Sequence, residues 1–305
     1  MFANIKQIAE MNFRLFIINL FFILFSTNCN SQSDTIMLNK NKLFIAGSTI
    51  TLSLASTYYY VENSWWADNK TAFHFDDGVD LIYAKNIDKL GHFMGGLFAA
   101  DVFKSSMLWS GMNKKKSLLY GAIVGTSLQL AIEIKDAYAP YWGFSYLDLA
   151  TGTVGAFYPF FQHNYKFFEN INFKFSYYKR TDKYTQLEKQ RGKEISSINW
   201  HDDYPNQTYW ITINSYSIHE NSFLPEWLNI AVGVGLDDSQ YLNENNQKSG
   251  GKNEWYIALD YDIPKMFKKW NTPIAKKIKK WLNYIHFPAP TIMISPEIKF
   301  YPLYI

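Results

Sequence analysis

The chain of 305 residues has a single cysteine, Cys29, so no internal disulfide framework holds it together. Thirty basic and 27 acidic residues leave a net charge of only +3, and that balance gives no case for nucleic acid as a partner. Also missing are a Gly-x-Ser-x-Gly elbow, a His-Glu-x-x-His helix and a phosphate-cradling glycine loop. Their absence removes the sequence signatures of α/β-hydrolases, zincins and P-loop enzymes. What the chain has in quantity is apolar surface: 48% of residues are hydrophobic and 18% aromatic, enough to fill a core and to exclude disorder of the whole.

Residues 1–31 read as an export signal, with Lys6 and Arg14 ahead of the apolar run Leu15 to Phe25 and the small, polar Ser26-Thr27-Asn28 behind it. Cys29 follows directly, in the position of a lipoprotein acylation site, although Asn28 stands where a lipobox has Gly, Ala or Ser. Three outcomes remain open: lipidation at Cys29, ordinary cleavage, and an uncleaved anchor. All three imply export, and the expected location is the cell envelope on the periplasmic side, in the outer membrane or the periplasm, with the protein anchored through Cys29 or its apolar helices.

The pattern predicts an α+β protein: a bundle of about four apolar helices over residues 40–165, then a β-rich region over 166–305. Helices are expected at Leu43 to Val61 and at about 88–110, 117–135 and 145–161, with Lys114-Lys115-Lys116 before the third. Ser145 to Asp148 has the form of a capping box. Each segment approaches bilayer-spanning length. The triple lysine, however, would fall on the outer side, against the positive-inside tendency, and favours a bundle packed upon itself.

Beyond residue 165 the apolar period becomes two. Phe173 and Phe175, the run Ile230, Val232, Val234, and the run Trp255, Ile257, Leu259 alternate with small or polar residues. With Gln207 to Ile218 and Thr291 to Ile305, about five antiparallel strands are expected. Five is fewer than the roughly eight of the smallest membrane barrels, so a sheet packed on the helices is the favoured reading. Pro264 to Ile285 holds seven lysines and no acid. Within it Thr272-Pro273 is expected to cap and open one basic amphipathic helix, with Ile274, Ile278, Trp281, Leu282 and Ile285 on one face and Lys276, Lys277, Lys279 and Lys280 opposite. Such a helix fits an anionic membrane surface, with Trp281 at the apolar edge, and equally fits a surface helix covering the sheet.

The ionisable residues converge. Asp88 and His92 lie one turn apart on one face, Glu133 and Asp136 end the next helix, and Asp148 opens the following one. In an up, down, up bundle these ends meet, beside the loop Phe73-His74-Phe75-Asp76-Asp77. Asp88, His92, Glu133, Asp136 and Asp148 are therefore candidate catalytic residues. His74, Asp88, His92 and Glu133 are candidate ligands of a divalent metal ion, the one cofactor the sequence suggests. The competing reading is structural, with Asp88 and Asp148 capping helices, Glu133 paired to His92, and the glycines at 95, 96, 121, 125, 152 and 155 allowing close helix approach.

Asp88-Lys89-x-Gly91-His92, Glu133-x-x-Asp136 and Trp142-Gly143-Phe144-Ser145-x-x-Asp148 together resemble the YfiM-type family of periplasmic lipoproteins, a domain of unknown function. Phe73-His74-Phe75, Gln207-Thr208-Tyr209-Trp210, Pro225-Glu226-Trp227-Leu228-Asn229, Asp260-Tyr261-Asp262 and Pro288-Ala289-Pro290 extend the resemblance over most of the chain. Where that family shows Ala-Asn before its last glycine, this chain has Thr151-Gly152-Thr153, which takes an amide away from the cluster. More distantly, the arrangement of acids and histidine is similar to VanZ-like membrane proteins. The resemblance implies export and a helical core, and carries no reaction.

The expectation is an exported, membrane-associated envelope protein with a structural or accessory role. Its partners would be membrane lipid and other envelope proteins. The alternative is an envelope enzyme or binder acting on lipid or surface glycan through the Asp/His/Glu cluster, with or without a divalent metal ion.

Overall fold

The computed structural model describes residues 38–64, 70–192, 203–214, 216 and 224–305. The signal segment and Cys29 lie outside the described residues. Helix α1 spans Lys40–Ser64, α2 Ile87–Trp109, α3 Lys114–Asp136 and α4 Tyr146–Asn164. The tight unit is α2, α3 and α4. Helix α1 flanks it through Ile50, which packs with Phe103 and Val124, and leaves Phe44, Ile45 and Leu52 exposed. A three-helix core with one flanking helix thus replaces the expected four-helix bundle.

Absent side chains set the helix spacing. A Cβ on Gly96 would lie 2.0 Å from the Gly152 carbonyl, and one on Gly155 would lie 2.0 Å from that of Phe93. Helix α3 starts earlier than the lysine run suggested, because the Asn113 side chain accepts from the Lys115 and Lys116 amides and draws all three lysines into the first turn. By length and composition α3 is, among the described residues, the one helix able to cross a bilayer.

After the short α5 (Lys166–Glu169) come β1 (Ile171–Tyr177), α6 (Lys183–Gln190), β2 (Gln207–Asn214) and β3 (Leu228–Leu236). The small strands β4 (Gln240–Leu242) and β5 (Lys248–Gly250) form a hairpin of their own. Then follow β6 (Asn253–Tyr261), α7 (Ile263–Met266), α8 (Pro273–Leu282), β7 (Ala289–Ser295) and β8 (Lys299–Tyr304). The main sheet is antiparallel with order β1-β2-β3-β6-β7-β8. It has six strands rather than five, because the expected last strand folds back on itself between Ser295 and Lys299.

The sheet buries the face that holds its polar residues. Lys174, Trp210, Thr212, Asn229, Tyr256 and Asp260 are all inside, and the sheet curls until Tyr304 of β8 reaches Thr208 of β2, oxygen to oxygen at 3.1 Å. Ala231 and Gly233 make room, since a Cβ at 233 would lie 2.5 Å from the Trp210 ring. Inside, Lys174 Nζ meets Asp260 Oδ2 at 2.7 Å, and His286 Nδ1 lies 3.1 Å from Asp260 Oδ1. Burial raises Asp260, but His286 and Lys174 outweigh it and hold the carboxyl below its usual range. The expectation of a sheet with one face packed on the helices holds only at one end, where Tyr83, Ile87, Phe93 and Leu97 share a core with Tyr158, Tyr204, Tyr209 and Leu236.

Candidate functional site

The three helix ends do meet. Lys89 Nζ stands among three carboxylates, 2.5 Å from Asp80 Oδ1 and 3.0 Å from both Asp88 Oδ2 and Asp148 Oδ1. Beside it His92 Nδ1 lies 3.0 Å from Gln129 Oε1 and 3.6 Å from Glu133 Oε1, while Nε2 lies 3.9 Å from Asp148 Oδ2. The run into α2 is built from left-handed residues, Ala84, Lys85 and Asn86, with φ of 47°, 50° and 65°. Neither Asn86 nor Asp88 caps that helix through a hydrogen bond from its side chain; the Asp88 carboxylate is given to Lys89 instead.

The capping box at α4 is half as expected. Ser145 Oγ accepts from the Asp148 amide at 3.2 Å and donates to Asp80 Oδ2 at 2.5 Å. The reciprocal partner of the Ser145 amide is Glu133 Oε2, at 3.0 Å, in place of Asp148. One carboxylate from the preceding helix thus does the capping and frees Asp148 for Lys89 and His92.

Electrostatics divides the cluster. Burial raises Asp80, but Lys89 and Ser145 outweigh it and hold its carboxyl below the usual range. Burial, reinforced by Asp148, pushes Asp88 well up. Burial also raises Asp148, against the pull of His92 and Lys89. Glu133 is pushed up to about 9 by burial, with Asp136 and Asp148 adding to it. Although burial disfavours the Lys89 ammonium, Asp88 and Asp148 hold it charged.

Of the residues singled out from sequence, Asp88, His92, Glu133 and Asp148 come together. Asp136 is half-buried at the end of α3, and its charge acts on Glu133. His74 does not join. Its Nε2 faces the Trp142 carbonyl at 2.5 Å and its Nδ1 the Ala72 carbonyl at 3.2 Å, fastening the loop before α2 to the α3–α4 connection. Four members were missed or undervalued: Asp80, Lys89 at the centre of the carboxylates, Ser145 as a ligand of Asp80, and Gln129. Asp80 sits in a 3-10 turn without periodicity, so no pattern marked it. Gln129 supplies an amide beside Gly152, where a Cβ would lie 2.7 Å from its Oε1. The exposed aromatics Phe73, Phe75 and Tyr146 pack together beside the cluster, with ring centroids 5.3 Å (Phe73–Phe75) and 5.4 Å (Phe75–Tyr146) apart.

The basic helix also differs from expectation. Lys276 and Lys277 are exposed, but Lys279 is buried and donates to the Phe267 carbonyl at 2.9 Å. Lys280 pairs with Asp101 and donates to Ser105 Oγ at 3.1 Å, pinning α8 to α2. The inner face is Ala275 and Lys279, and the isoleucines turn outward. Trp281 is half-buried against Tyr284.

The protein is thus three linked helices around a buried acid and imidazole cluster, with a curled antiparallel sheet behind. Residues 78–164 match the family model described as "Predicted periplasmic lipoprotein (DUF2279)", a stretch that holds α2 to α4 and every member of the cluster. The match supports an exported protein of the periplasmic envelope and assigns no reaction. No curated protein and no solved structure matches the chain.

Proposed function

We propose that the protein is an envelope component that binds the surface of an anionic membrane and serves there in a structural or accessory role. The observation that carries this reading is a register row across the sheet: Phe173, Ile211, Val232, Ile257, Ile292 and Phe300 stand side by side on the outer face. Phe173 lies under the bundle against Phe93. The other five run out from beneath it, each 43–62% exposed. Polar residues inside and apolar residues outside invert the usual order of a sheet facing water, and contiguous apolar surface of this kind marks an interaction site.

Helix α8 and its approach favour lipid as the occupant. Met266, Phe267, Trp270, Ile274 and Ile278 are exposed, and Lys268, Lys269, Lys276 and Lys277 are exposed among them, the composition of an interfacial segment. Each lysine near an anionic surface contributes about 1 kcal/mol, and each half-exposed apolar side chain that enters the acyl boundary contributes on the order of 1 kcal/mol more. The resemblance to YfiM-type lipoproteins agrees with a membrane location.

Flotation with vesicles containing anionic lipid tests this. Ile274→Asp with Ile278→Asp is expected to lower partitioning at least tenfold, since about 1.4 kcal/mol suffices for that factor. High salt is expected to weaken, but not abolish, binding of the unaltered chain. Equal partitioning of the double variant and the parent would refute the reading.

A further inference from the structure

Among the described residues, two groups of three side chains have the spacing to hold a cation: Asp80, Asp88 and Asp148, and His92, Glu133 and Asp148. The first already holds one. Lys89 Nζ is ion-paired with all three carboxylates, so an ammonium occupies the centre that an ion would need. The second group contains no ammonium. One ligand atom from each of its members lies within 4.8 Å of the others.

Two observations point to a ligand in this second group. Glu133 has a side chain only 1% exposed, and although its Oε2 accepts from the Ser145 amide, its Oε1 has no hydrogen-bond partner. A side-chain oxygen so deeply buried and unpartnered is costly. The other observation concerns His92. With Gln129 presenting Oε1 to Nδ1 at 3.0 Å, the neutral tautomer that makes this hydrogen bond carries its proton on Nδ1 and its lone pair on Nε2. That lone pair looks toward Asp148 Oδ2 at 3.9 Å. Two acceptors facing one another without a donor leave a place for a positive charge.

We infer that His92, Glu133 and Asp148 form a binding site for one divalent transition-metal ion of the zinc type. One imidazole nitrogen and two carboxylate oxygens suit a borderline ion better than magnesium, which takes oxygen ligands in strict octahedral geometry. The Gln129 contact to Nδ1 is the outer hydrogen bond that orients a ligating histidine. Lys89 serves as the fixed counter-charge beside Asp148, ion-paired with Oδ1 at 3.0 Å, while Oδ2 is the oxygen nearer His92 Nε2. Three protein ligands leave a fourth position open to water, the arrangement of zinc sites that act as Lewis acids. This inference does not depend on the membrane reading, which concerns the sheet and α8.

The test is calorimetric titration of Zn2+ into the full chain, purified in detergent and stripped with chelator. The parent is expected to bind one ion per chain, and His92→Gln and Asp148→Asn are each expected to weaken binding tenfold or more. No binding by the parent, or a loss below tenfold in either folded variant, overturns the site. Should a variant fail to fold, modification of His92 in the parent by diethyl pyrocarbonate, mapped by mass spectrometry, replaces it. Protection by Zn2+ supports the site and unchanged modification refutes it.

Discussion

Replacing Glu133 with glutamine makes a stability prediction whose sign depends on pH. The substitution keeps the shape and an oxygen to accept from the Ser145 amide, and removes the ionisable group. In the folded, metal-free protein Glu133 is pushed up to about 9 from an ordinary 4.5, with burial the leading cause. Its folded value lies above its unfolded one, so the folded state holds a proton that the unfolded chain releases. The stability this group contributes is therefore fully present below about pH 4.5 and is lost as the pH climbs toward 9. Each pH unit in that window costs roughly 1.4 kcal/mol, an upper bound near 5 kcal/mol by pH 8, which interior relaxation reduces toward about 2 kcal/mol. Glutamine escapes this cost. Urea unfolding in the presence of a chelator is expected to give nearly equal stability for parent and Glu133→Gln at pH 4.5. At pH 8 the variant is expected to be more stable by about 2 kcal/mol or more. A difference that is flat with pH, or a variant less stable at pH 8, would show that Glu133 is ionised and paired with His92, and the reasoning would fail.

Two further outcomes follow from packing. Gly96→Ala places a methyl group 2.0 Å from the Gly152 carbonyl, backbone against backbone. It is expected to cost at least about 3 kcal/mol by forcing α2 and α4 apart, seen as a drop in thermal midpoint. Lys174→Met strips the buried ammonium from Asp260 and is expected to cost about 3–5 kcal/mol at neutral pH, with part of the loss recovered in acid, where Asp260 takes up a proton. Chemical denaturation at two pH values checks both magnitude and direction.

The sequence by itself determined the elements. Helical spacing of apolar residues marked α1 to α4, and strict alternation marked β1, β3 and β6, because both patterns follow from local backbone geometry. It also determined that Asp88, His92, Glu133 and Asp148 gather at one end, since short connections force successive helices to run back and forth. Tertiary structure decided what those residues do. Nothing local could show that Lys89 would centre three carboxylates, that Glu133 would cap the helix of Ser145, or that Asp80 would enter from an irregular turn, because each pairing spans separate segments. The orientation of the sheet was likewise undecided. Alternation fixes two faces but not which one turns inward, and only the curl that brings Tyr304 to Thr208 buried the polar face and left the apolar one outside. For the same reason α8 presents its isoleucines outward: its amphipathic pattern was local, while the partners of Lys279 and Lys280 were supplied by distant parts of the chain.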